Sequence, residues 1–572
     1  MASASTAVLN LPNTRKLTII AQDPSVRIGN RILTAEVEVP AEELLPGPCG
    51  YRIKVVDYDA TNNVLYDAAE LELKSGNYLD PFSKQSMQGS TVAAFNRSLL
   101  ENPKFHAQNA YAIAMRILAR FEFSLGRRTA WGSDGHQLNV APHAFAEANA
   151  FYSKEDRGLF LGYFAGSDGR PIYTCLSHDV VAHETTHALL DGIRPRYLEP
   201  SSPDQAAFHE GFSDIVALLS IFALKDVVAT LLDSGGRSHL IDQKFLTPQA
   251  LKQSVLFGLA DQMGQELSQV RGQALRRSVE LKPGMKYMSM TEFLEPHRRG
   301  ELIVAAMMNA FIEIWVSRLN KIGYLQKGKK DRSLVVEEGA RVAGHLLTMS
   351  IRALDYCPPT DINFSDYLSA LLTIDREVVA DDSKYGYRDS LISSFKAYDI
   401  SVADGTNSDG TWVQCAGQLL YSRSHFDSML RDKEEVFRFV WENRGPLELS
   451  KDGYIEVENV RPCYRIGPDG FILHETVAEY VQILTLNVDE LKSALKINPP
   501  PEMPGWMRVE LFGGGALIFD EYGRLKYQIG NRLENAERQT ARLQYLWDSG
   551  FYDRPAKDSS RLAELHLARA MA

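Results

Sequence analysis

His183, Glu184 and His187 form a His-Glu-Thr-Thr-His run, and Glu210 and Asp214 follow in a second apolar stretch of helical period. Side chains four apart on a helix share one face, so both imidazoles can reach a single ion. Each would bind zinc through one ring nitrogen at ~2.0–2.1 Å. Glu184 points into the neighbouring groove, where a carboxylate can take a proton from a water that the metal makes acidic. The third ligand must come from elsewhere. A third histidine six positions after the second is excluded, because Ile193 stands there and Leu190 replaces the glycine such a pattern needs. Glu210, on a helix that can run antiparallel to the first, is the natural carboxylate ligand. Asp214 lies one turn further on the same face. It is placed to accept a hydrogen bond from the non-ligating nitrogen of a zinc histidine, which fixes tautomer and ring orientation. Three protein ligands leave a fourth corner open, the condition for hydrolysis. His178 and His209 adjoin the motifs, but adjacent helix positions face different ways, so neither is expected in the site.

These side chains need rigid elements to hold them. Residues 179–191 read as the motif helix, ended by Asp191-Gly192 and Pro195. Residues 203–221 read as the second helix, with Ser202 as cap and Pro203 in the first turn. Before them, residues 17–75 look like β structure, with alternation over Ile32 to Val39. Ala107 to Phe123 has helical spacing up to Gly126, and residues 139–175 return to strands. After them, Gly300 to Ile322 is apolar almost all round, which implies a buried helix. Helices are also expected over 339–354, 364–377 and 387–398. Past residue 400 the texture changes. Gly467 to Gly470 is a turn, Ala516 to Phe519 and Leu525 to Gln528 are hairpin arms, and Leu533 to Trp547 is a last helix. The Gly513-Gly514-Gly515 run has no following Lys-Ser/Thr, so it reads as a β turn or bulge and not a phosphate loop.

A chain of 572 residues exceeds one core. The expected division is a β-rich domain over 1–95, a catalytic unit over 96–400 and an α+β extension over 401–572. The fold class is α+β multidomain. A net charge of -11 argues against a nucleic-acid partner. No run approaches the ~18 apolar residues that cross a membrane, so no membrane partner is expected. Met1 to Arg15 has no apolar h-region. Cys49, Cys175, Cys357, Cys415 and Cys463 are odd in number and scattered, so they read as free thiols. A reducing, cytoplasmic compartment is expected, with export by a route without a cleaved signal left open. The oligomeric state is not encoded in any of these features.

His183 to His187 with Glu210-Gly-Phe-Ser213-Asp214 resembles the gluzincin metallopeptidases, closest to the thermolysin-like family, over roughly residues 107–400. The resemblance implies a β-rich lobe and a helical lobe with zinc between them. It implies His183, His187 and Glu210 as zinc ligands, Glu184 as catalytic base and Asp214 as partner of the first histidine. Asn149-Ala150-Phe151-Tyr152 resembles the family's edge strand, in which the asparagine side chain and alanine carbonyl hold the substrate backbone. His297, at the mouth of the long apolar helix, resembles the family's transition-state histidine, and Glu292 sits where that histidine's acidic partner is found. Tyr197 lies one position off the family's second oxyanion donor. The acidic cluster that holds calcium in the family has no counterpart, Leu218 to Leu232 being mostly apolar, so calcium does not carry across.

The leading expectation is therefore a zinc endopeptidase acting on peptides or proteins. Three rivals stand beside it. A gluzincin aminopeptidase needs a Gly-x-Met-Glu-Asn strand, which the chain lacks. A non-catalytic binding protein would keep the zinc for structure alone. A self-restrained protease would have residues 1–90 or 400–572 over its cleft.

Overall fold

In the computed structural model the first strands, β1 (Thr14–Ile20) and β2 (Thr34–Pro40), pair antiparallel, with Thr14 opposite Pro40 and Ile20 opposite Thr34. The structure describes residues 13–553 apart from 72, 75–76, 134, 233–237, 258–273, 380, 383–384 and 468–469. The first 12 residues, where no export signal was expected, and the centre of the 467–470 turn lie outside the described residues. β3 (Ile53–Val55) leaves the first pair and joins a later sheet. Helix α1 (Pro103–Leu125) starts at Asn102, whose side chain accepts the Lys104 N–H. It stops at Gly126, whose left-handed φ of 68° suits glycine.

β4 (Leu138–Phe145), β5 (Ala150–Ser153), β6 (Gly158–Ala165) and β7 (Pro171–Tyr173) complete a five-stranded mixed sheet with β3. The order is β5-β6-β4-β3, with β7 also on β6. β4 runs parallel to both β3 and β6, whereas β5 is antiparallel to β6 and forms the sheet's edge. The expected 1–95 domain does not close on a core of its own. Leu17, Ile19 and Val37 share one apolar cluster with Ala110, Ile113 and Ile117 of α1. Asn109 also accepts the Ile20 N–H at 2.8 Å. Short apolar strands cannot bury both faces alone, so they use α1.

The helical part contains α2 (His178–Ile193), α3 (Pro203–Phe222), α4 (Pro296–Lys321), α5 (Arg332–Ala353), α6 (Phe364–Val378) and α7 (Tyr387–Lys396). Ser177 caps α2 and Ser202 caps α3, with Pro203 in the first turn. α4 is long and apolar enough to cross a membrane by length and composition, more than the sequence reading allowed. The most apolar window of α4 is 83% buried by its neighbours, as the centre of a helical core would be.

α3 and α4 cross at two glycines. A Cβ on Gly211 would lie 2.8 Å from the Gly300 carbonyl oxygen, and one on Gly300 would lie 3.0 Å from the Gly211 nitrogen. Arg299 Nε donates to Asp204 Oδ1 at 2.5 Å beside that crossing. The contact sets the start of α4 against Glu210. Gly211→Ala is expected to cost about 1–3 kcal/mol in denaturant unfolding, because the backbone of α4 must retreat.

The last part is an antiparallel meander, β8 (Tyr454–Ile466), β9 (Ile472–Asn487), β10 (Arg508–Phe519) and β11 (Leu525–Asn531). Successive residues face opposite ways. Val477, Ile518 and Tyr527 therefore enter the main core, while Ala478, Leu517 and Phe519 cover Val436 and Phe439 of the preceding helix Lys433–Glu442. The glycine run is neither turn nor phosphate loop. It lies inside β10, paired to both neighbours, where a Cβ on Gly530 would meet the Gly514 oxygen at 2.0 Å. The hairpin over 520–524 forms as expected, and the last α-helix among the described residues is α8 (Ala536–Asp548).

Buried charge joins this sheet to the helices. Arg127 donates twice to Asp355, at 2.6 and 2.7 Å, and Arg465 pairs with both Asp355 and Glu475. Arg194, just past α2, pairs with Glu479 of β9. The extension after residue 400 is thus fastened to the end of the motif helix.

Candidate metal centre and active site

α2 turns its histidine face toward α3. His183 Nε2 and His187 Nε2 lie 2.8 Å apart. The Glu210 carboxylate is 3.4 Å from the first and 3.6 Å from the second. All three residues are buried. Four donors around a tetrahedral zinc with ~2.0–2.1 Å arms stand about 3.3 Å from one another, so this spacing fits the ion. Asp214 Oδ1 lies 2.8 Å from His183 Nδ1. A carboxylate can only accept, so Nδ1 carries the hydrogen and Nε2 presents its lone pair inward.

His187 is held by a residue that sequence reasoning left out. Its Nδ1 is 2.7 Å from His209 Nδ1, with Ser213 Oγ at 3.2 Å. The two rings stack at 4.8 Å. Where two helices pack tightly, the seam is wider than one row, and positions 209 and 210 flank it. The readable signal was His209 four residues before Ser213, a pair on one face. His178, the other histidine set aside, is buried against Ser220 Oγ at 3.1 Å, away from this cluster.

Glu184 Oε2 accepts the backbone N–H of Tyr152 at 3.0 Å. Its carboxylate lies with the nitrogens of His183 and His187 in a group spanning no more than 4.8 Å. Edge strand β5 therefore runs beside the site. At its head Asn149 Oδ1 accepts the Ala150 N–H at 2.9 Å. Asn149 and Ala150 thus stand three and two residues before Tyr152, the strand position that touches Glu184, with Phe151 between.

His297 enters from the first turn of α4, with Nε2 3.6 Å from Glu210 Oε2. Its acidic partner is Glu295, not the expected Glu292. Glu295 Oε1 lies 2.7 Å from His297 Nδ1 and the same side chain caps α4 by accepting the N–H groups of His297 and Arg298. Burial raises the Glu295 carboxyl, but its hydrogen bond and charge contact with His297, with the two backbone bonds, bring it down to about 2. Glu292 is instead exposed and lies 3.8 Å from Arg298. The chain makes a tight turn over Thr291–Leu294, which carries Glu292 outward and leaves the cap position nearest the ring.

Tyr197 does not join the cluster. It is 1% exposed and its hydroxyl donates to the Pro358 carbonyl at 2.6 Å, in the joint with the C-terminal sheet. Tyr197→Phe is expected to lower unfolding free energy by about 1–3 kcal/mol, since the buried carbonyl loses its donor. Any activity should stay within a few-fold of wild type. A selective fall in turnover with unchanged stability would restore it as an oxyanion donor.

Searches with known protein-family models and against curated proteins find no match for this chain.

Proposed function

We propose that the protein is a zinc-dependent endopeptidase of thermolysin-like plan, with His183, His187 and Glu210 holding the metal. One observation carries the reading: two imidazole nitrogens and a carboxylate converge at 2.8 to 3.6 Å, with a further carboxylate, Glu184, beside them. When bound, zinc supplies Lewis acidity and lowers the pKa of a water toward ~7. Glu184 takes the proton of the attacking water and passes it to the leaving amine. The Tyr152 N–H on Oε2 holds that carboxylate in place. His297, oriented by Glu295 at Nδ1, turns Nε2 toward the same space and donates to the oxyanion of the tetrahedral intermediate. Asp214 and His209 hold the two ligating rings. A peptide adds as a strand along β5, met by Asn149 and the Ala150 carbonyl. The mixed sheet and the α2–α7 helices would be the two lobes of the family plan.

The test is cleavage of a mixed peptide set, each peptide blocked at its N-terminus, followed by mass spectrometry. Internal cleavage should appear, vanish with a chelator and return with zinc. Cleavage only of unblocked peptides, one residue at a time, would favour an aminopeptidase. A zinc-loaded protein that leaves every peptide whole would favour the binding or self-restrained roles.

A further inference from the structure

A second group of metal-ligating side chains lies outside this site. His106 of α1, His143 of β4 and Cys175, in the turn after β7, place one donor atom each within 4.8 Å of one another. They are 1%, 1% and 0% exposed. His106 Nδ1 and His143 Nε2 face each other at 2.7 Å.

The hydrogen bonds around the pair fix both tautomers. His106 Nε2 is 3.1 Å from the carbonyl oxygens of Leu99 and Leu100. Carbonyls only accept, so Nε2 carries the hydrogen and Nδ1 is left with a lone pair. His143 Nδ1 is 2.8 and 3.0 Å from the two oxygens of Asp57, so this nitrogen also carries its hydrogen and Nε2 keeps a lone pair. Two neutral rings therefore point lone pairs at each other across 2.7 Å. A cation must lie between them, either a proton or a metal ion. A shared proton would be balanced by the Asp57 carboxylate beside His143, but it gives the Cys175 sulfur no role. A metal ion uses both lone pairs and a third donor that a proton has no use for, the Cys175 sulfur. The outer hydrogen bonds, one ring to backbone carbonyls and one to a carboxylate, are those that orient metal-ligating histidines.

We infer that His106, His143 and Cys175 form a second, structural metal site for a borderline-soft divalent ion of the zinc or copper class. Two imidazoles and a thiolate suit such an ion and disfavour calcium or magnesium. Binding releases the Cys175 thiol proton to solvent and forms the metal–sulfur bond, while both rings bind in their neutral form. The ion would join α1, the central strand β4 and the turn leading into α2. Asn109 Nδ2 already holds the Cys175 carbonyl at 2.8 Å in that joint. This site is independent of the proposed peptidase centre, which contains no cysteine.

Cobalt substitution of the full-length protein separates the two sites, because only a thiolate ligand gives a strong near-ultraviolet sulfur-to-cobalt band. The band should be present in wild type, persist in His183→Ala and disappear in Cys175→Ser. Metal analysis should give about two equivalents per wild-type chain, about one in each variant, and identify zinc or copper. One equivalent with the sulfur band would uphold this site and count against the peptidase centre. Absence of the band in cobalt-loaded wild type, which needs no variant to fold, would overturn the inference and assign the pair a shared proton. Persistence of the band in Cys175→Ser would overturn it as well.

Discussion

Glu184→Gln is expected to bind metal as wild type does and to lose about 10²–10⁴ of its hydrolytic rate. In the proposed centre its carboxylate is the base beside the ligands and not itself a ligand. Glu184 accepts the Tyr152 N–H, which an amide oxygen can keep. The substitution therefore removes basicity and keeps that hydrogen bond. His183→Ala should instead lose zinc and hydrolysis together, because in the proposed centre the ring is a ligand, and it is also the partner of Asp214. Metal analysis alongside peptide cleavage reads both outcomes. A zinc-loaded, fully active Glu184→Gln protein would remove Glu184 as base and leave the metal centre untouched.

Asp355→Ala is expected to cost about 3–5 kcal/mol of stability. Asp355 has no exposed side-chain surface and neutralises Arg127 and Arg465, which are also buried. Removing it leaves two guanidinium groups without their shared anion, at the joint between the helices and the C-terminal sheet. Denaturant titration gives the loss directly. A change within 1 kcal/mol would mean that water reaches the joint and screens it. The same group makes the fold sensitive to acid. Burial raises the Asp355 carboxyl, but Arg127, then Arg465 and Arg194, pull it well below the usual carboxylate range. A depressed folded pKa stabilises the protein above the unfolded value of ~3.9 and gives up that contribution as pH falls. Unfolding free energy should therefore decline below about pH 4, and less steeply in Asp355→Asn.

The local elements were legible because local rules set them. Ser202 as a cap, Pro203 in a first turn and Gly126 at a left-handed stop mark helix ends from nearby residues alone. Alternation marked β2 and helical period marked α1 and α4. The domain boundary near residue 95 was not legible, since nothing local tells β1 and β2 that their buried face is α1. The glycine run was misread for the same reason: its need for glycine comes from Tyr480 on the preceding strand and Leu533 just past the next one.

At the site, spacing alone put His183 and His187 on one face, and Asp214 one turn from Glu210, because a helix repeats every 3.6 residues. The meeting of those two faces, the entry of His297 and the choice of Glu295 over Glu292 depended on how α3 and α4 cross at Gly211 and Gly300. Tyr197 was drawn away by a carbonyl 161 positions along the chain. The pairing of His106 with His143 spans 37 positions and two kinds of element. Periodicity fixes which residues share a face; packing between distant segments decides which faces touch, and only the folded chain carries that information.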